Sequence, residues 1–180
     1  MPLPVSHSLV GAIIVALLRP RTSLKRDWLV ILFGAFLAVS PDFDFFFDFF
    51  FVFNLHLKEI WHRGLTHSIF FAFVITCLML VGTRFSHSKG VIACGTALTS
   101  HGVLDFLTTK EGKGVELLFP FSDERLKLGI FGVSEFDQGF PLAEVIKSGL
   151  IELTIFLPIF LVLVLLRGYL SPVSSIKVTN

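Results

Sequence analysis

The chain has 180 residues, a formal net charge of +1 and a hydrophobic share of 53%, against only 16% charged residues. Its mean hydropathy of +0.80 lies far above that of the half-apolar, quarter-charged mixture found in soluble domains, and points to an integral membrane protein. A near-neutral chain with no Lys/Arg cluster interleaved with stacking aromatics has no footprint for nucleic acid.

A spanning helix needs about 20 largely apolar residues, and about 17 at the least. By that measure residues 3 to 18, LPVSHSLVGAIIVALL, make a marginal first segment that either spans or lies in the interface. The basic residues Arg19, Arg21, Lys25 and Arg26 follow this segment rather than precede it, the reverse of a cleavable signal peptide, so the segment is expected to stay in the mature protein. Residues 28 to 53 form an overlong second segment interrupted by acids, with the phenylalanine-rich stretch FDFFFDFFFVF at its end. Residues 65 to 83, 90 to 108 and 149 to 166 fit the measure. The expected fold class is therefore all-α: a polytopic transmembrane helical bundle of about five segments, forming one integral membrane domain over residues 1 to 180. A long polar loop, about 109 to 148, separates the fourth segment from the fifth.

The short links between segments one and two and between three and four carry the basic residues, the latter with Arg84 and Lys89, which places both links in the cytoplasm. Ionisable residues then gather at the opposite face: His7 at the start of segment one, Asp42 and Asp44 in SPDFD, His62 and His67 in HRGLTHS, and His101 with Asp105 near the end of segment four. Unrelated polar residues on helices of alternating direction would scatter over both ends. Carboxylates inside apolar runs cost about 2.5 to 3.5 kcal/mol each at the membrane centre, so Asp42, Asp44 and Asp48 are expected to be paired, interfacial or bound to a cation.

Histidine nitrogens and carboxylate oxygens are ligands for zinc, and mixed sets also suit manganese or iron. His101 and Asp105 stand four apart and share a helix face. Pro41 breaks the second segment and turns Asp42 and Asp44 toward a polar cavity. Gly64 is expected to start the third helix, leaving His62 in the turn before it and His67 pointing inward. One or two divalent ions, zinc first, could be served by this set, with Arg63 beside it to hold an anionic oxygen. Cys77 and Cys94 sit in apolar runs without metal spacing and read as small core residues. No nucleophile elbow or phosphate-binding glycine loop is present in the sequence.

The order S-H-S, S-P-D-F-D, H-R-G-L-T-H-S and S-H-G-V-L-D-F-L-T, followed by G-x-x-L-L-F-P-F, resembles the prokaryotic inner-membrane family of membrane-bound metal-dependent hydrolases over most of residues 6 to 122. That resemblance implies an inner-membrane, multi-pass protein with His7, Asp42, Asp44, His62, His67, His101 and Asp105 at its metal site. A fainter similarity, to the all-helical zinc phospholipase C and nuclease group, rests on His-x-x-x-acid pairs. The expected function is hydrolysis of an ester or phosphoester in an amphiphilic, lipid-like substrate at the extracytoplasmic face, with Asp44 as proton acceptor and Arg63 stabilising charge. A structural metal clip is the alternative. A transporter is disfavoured because the inner halves of segments three and five hold few ionisable groups. Membrane lipid is the expected partner.

Overall fold

The computed structural model describes residues 4–18, 24–44, 46, 63–109, 114–130 and 142–170. Among these are five α-helices, and no β-strand beyond a single bridge between Val115 and Leu126. In chain order they are α1 (Pro4–Leu18), α2 (Leu24–Val39), α3 (Ile69–Gly82), α4 (Ser88–Thr108) and α5 (Leu142–Leu170). Two 3-10 turns, Ser40–Phe43 and Leu65–His67, continue α2 and precede α3. The helix expected over 149 to 166 begins earlier, at Leu142, which shortens the polar loop from its C-terminal side.

Among the described residues two stretches are long and apolar enough to cross a membrane, α4 and the Ile146–Leu166 part of α5; α1 and α3 are apolar but shorter. The short first segment is no outlier to the bundle. α1 packs against α2, α4 and α5 at once, while α3 packs on α4. Glycine makes the closest crossing possible: a Cβ added to Gly11 would strike Ala38 and the Gly34 carbonyl, and one added to Gly34 would strike Val15. Membrane helices hold together through such close backbone approach, because lipid gives apolar side chains no reason to leave it. The core between α1, α2, α3 and α4 is accordingly small-residue rich, with Val15, Ala38, Ala72, Ala93, Cys94 and Ala97 buried.

Pro41 ends α2 for a chemical reason. It has no N–H to give the carbonyl of Leu37 one turn earlier, and the Ser40 hydroxyl donates to that carbonyl instead, at 2.9 Å. The chain then tightens into the Ser40–Phe43 turn, which brings Asp42 to the end of the bundle.

Candidate metal centre

Of the motif HRGLTHS, residues 63–68 are described, and they lead through one tight turn into a helix cap. The His67 N–H closes on the Gly64 carbonyl at 3.1 Å to form the Leu65–His67 turn, and α3 begins only at Ile69, five residues after the helix start expected at Gly64. Ser68 then caps α3, its hydroxyl accepting from the Phe71 N–H at 3.0 Å. His67 is thereby fixed just before the helix, buried, and directed across to α4. Gly102 permits the contact, since a Cβ there would collide with the His67 carbonyl.

Four side chains converge at this end: Asp42, His67, His101 and Asp105 each offer one donor atom, all within 4.8 Å of one another. His101 Nε2 lies 3.3 Å from Asp42 Oδ1 and 3.7 Å from Asp105 Oδ2. His67 Nε2 lies 3.6 Å from Asp42 Oδ1 and 3.5 Å from Asp105 Oδ2. A tetrahedral ion with bonds of about 2.0 to 2.2 Å separates its ligands by about 3.3 to 3.6 Å, close to the four histidine-to-carboxylate separations, within a group that spans up to 4.8 Å. The hydrogen-bond inventory points the same way. Both oxygens of Asp42, both of Asp105, and His101 Nε2 are buried atoms with no hydrogen bond, a costly state for a carboxylate-rich site unless a cation compensates it.

The surroundings fix how the rings present themselves. His101 Nδ1 lies 2.6 Å from the Ala38 carbonyl, which can only accept, so Nδ1 carries the proton and Nε2 turns its lone pair to the carboxylates. Behind His67, Nδ1 meets Thr66 Oγ1 at 3.0 Å and Asp44 Oδ2 at 3.3 Å, and the Thr66 hydroxyl donates to Asp44 at 2.6 Å. His7, wholly buried, stacks on His101 with ring centroids 4.0 Å apart and sets Nε2 3.3 Å from Asp105 Oδ1, the oxygen turned away from the four-donor group.

Of the seven residues expected as ligands, the structure brings four into one donor group, sets Asp44 and His7 directly behind two of them, and leaves His62 outside the described residues. Asp48 and the rest of the phenylalanine-rich stretch beyond Phe46 also lie outside them. Arg63 is buried, with its backbone in the left-handed region at φ 65°, uncommon for a residue with a side chain, and its carbonyl accepts from the Glu116 N–H at 3.0 Å.

Neither Glu152 nor Thr66 stands out in the sequence alone. Glu152, buried on α5, accepts from the Ser6 N–H at 3.3 Å and so serves an otherwise open donor in the first turn of α1, next to His7. The available signal was a lone carboxylate one turn after Ser148 in an otherwise apolar segment. Thr66 carried none, because its role depends on the turn.

A helical chain with a buried His/Asp cluster at one end of its bundle defines a membrane protein with a candidate metal centre. The chain belongs to the YdjM inner membrane protein family, whose family model matches residues 1–172. It is 37% identical over 131 residues to the inner membrane protein YbcI of Escherichia coli (strain K12), covering 69% of this chain and 71% of that protein. No solved structure matches it. It is thus an inner membrane protein, and neither relative's name states a reaction.

Proposed function

We propose that this protein is a multi-pass, single-domain membrane hydrolase that uses a divalent metal, zinc in the first place and manganese or iron next, to cleave an ester or phosphoester in a lipid-like substrate. The observation that carries the reading is the convergence of one donor atom each from Asp42, His67, His101 and Asp105 within 4.8 Å of one another, with both carboxylates and His101 Nε2 making no hydrogen bond. When bound there, such a cation supplies Lewis-acid activation of water and of a substrate oxygen.

The chain's own residues divide the remaining work. Ala38 and the Asp44–Thr66 pair hold the two histidine rings in register, as supporting hydrogen bonds do at known metal sites. His7 braces Asp105 from its outer oxygen. Asp44, committed to Thr66 and His67, orients a ligand in this reading rather than taking the proton. Asp42 Oδ2, with no hydrogen bond, takes it. Asp42 is also the way in: its side chain is 13% exposed whereas His67, His101 and Asp105 are at 0%, and it is followed by the exposed ring of Phe43, which leans on Phe36 and Phe46. An apolar row leading to one half-open carboxylate suits an amphiphile arriving from lipid. Arg63 is the cation assigned to the substrate's anionic oxygens.

The positive-inside reading of the short links puts this end on the extracytoplasmic face. The test is elemental analysis of detergent-purified protein, paired with hydrolysis assays on a panel of phospholipids and neutral ester lipids. Stoichiometric metal and turnover of one class, both lost in Asp105→Ala, support the reading. Metal that is stoichiometric and stabilising but inert toward every ester would make the cluster a structural clip, the function favoured by three donors at zero exposure.

A further inference from the structure

The segment 114–130, part of the loop that the sequence marks as polar, is tied to the bundle rather than hanging from it. The Val115–Leu126 bridge closes it with bonds of 2.9 and 2.8 Å. Its Leu117 carbonyl accepts from the first N–H of α3, Ile69, at 3.1 Å, and the Leu128 and Ile130 N–H groups donate to the carbonyls of Phe106 and Leu107 near the end of α4, both at 2.8 Å. Val115 and Leu117 are buried by this docking.

Besides Leu128 and Ile130, exposed beside the end of α4, the docked loop presents two arms outward. One carries Leu118 and Phe121, exposed, with Phe121 at 83%; the Phe121 ring stands edge-on to Phe70 of α3, centroids 5.6 Å apart. The other, residues 122–127, is hydrophilic: Ser122, Asp123, Glu124, Arg125 and Lys127, with Arg125 paired to Glu116 at 2.9 Å. The apolar arm continues a surface that already exists. Along α3 the exposed residues Ile69, Phe70, Phe73, Leu78 and Val81 carry no charge among them, and Leu118 and Phe121 extend that surface beyond the helix's N-terminal end.

Length shows why the extension matters. With 14 residues, α3 rises only about 21 Å, short of the roughly 30 Å of a bilayer's hydrocarbon core. A helix that short leaves a hydrophobic mismatch, which a bilayer must absorb by thinning unless other apolar surface takes up the difference. The 117–121 arm supplies such surface at the deficient end.

We propose that this arm is seated in the lipid leaflet on the cluster's side, with Leu118 and Phe121 among the acyl chains and the 122–127 arm at headgroup level. The loop is then part of the membrane-facing wall, and the His/Asp cluster, whose His67 stands just before α3, lies behind that arm and beneath the leaflet's headgroups. The inference rests on the multi-pass reading of α3 and is independent of any catalysis.

Spin labels on a Cys77→Ala, Cys94→Ala background test it, in proteoliposomes of phosphatidylethanolamine and phosphatidylglycerol. Labels replacing Phe121, Leu118, Asp123 and, on α3, Phe73 are compared for collisions with oxygen, which partitions into lipid, and with a water-soluble nickel chelate. Oxygen collisions dominating at 121, 118 and 73 and nickel collisions at 123 are the expected result. Nickel dominating at 121 and 118 while oxygen dominates at 73 overturns the seated loop alone. Nickel dominating at 73 as well removes the multi-pass reading on which it stands.

Discussion

The two described helices long enough to cross a membrane are built for opposite tasks. Half of α4's apolar window is buried inside the bundle, against 6% for that of α5. α4 touches α1, α2 and α3 and carries two of the four donors; α5 packs mainly on α1, and the residues it buries there include Ser148 and Glu152. The more continuously apolar helix is the peripheral one. In lipid, apolar length marks exposure, whereas alanines, glycines, hydroxyls and paired charges mark the interior, because only small or polar groups gain by leaving the hydrocarbon.

The sharpest break in this contrast would be a ligand change on α4. Asp105→Ala should weaken metal binding by more than about 100-fold, exceeding the loss typical of supporting residues, and should lower the melting temperature in metal-containing buffer toward that of the chelator-treated protein. Metal titration and thermal scans with and without chelator check both. Next comes packing alone. Ala97→Leu, in the fully buried face of α4, should cost about 1 to 3 kcal/mol by overfilling, read as a fall in resistance to denaturing detergent. On α5, the buried Glu152 is the exception that sharpens the rule. Glu152→Ala removes the acceptor for the first turn of α1 and should cost about 1 kcal/mol, as loss of a helix cap does, with Glu152→Gln restoring part of it by the same denaturation measurement. The smallest effect belongs to the outer face of α5: Leu161→Ala should change stability by less than about 0.5 kcal/mol, and a loss as large as that of Ala97→Leu would show that α5 is covered by protein rather than by lipid.

Much of the site was legible because its spacing is local. His101 and Asp105 share a helix face by arithmetic alone, and a proline beside Asp42 signals the break that exposes it. Convergence at one end followed from reversing helix direction at each basic link. What the sequence hid depends on contacts between distant turns. Asp44 sits behind His67 rather than beside the other donors because the Leu65–His67 turn aims His67 Nδ1 back at it through Thr66, a geometry no spacing rule encodes. Glu152 was hidden by its setting, a long apolar segment in which one acid reads as a blemish until the first turn of α1 is seen against it. The fold was legible as all-helical and the first segment as short, while the shortness of α3 was not, because apolar residues that belong to caps and turns look the same in a hydropathy window as those inside a helix.

The carbonyl of Ala38 carries a consequence for how this site can change. It belongs to the last turn of α2, a few residues before Pro41, and it holds the His101 ring in one of two possible orientations. A backbone atom cannot be substituted by mutation, so the orientation of the ring is inherited from where the helix stops rather than from any side chain. Any change that lets α2 run on past residue 41 would claim that carbonyl for an ordinary helical bond and leave His101 free to rotate, altering what the cluster can bind while every donor stayed in the sequence.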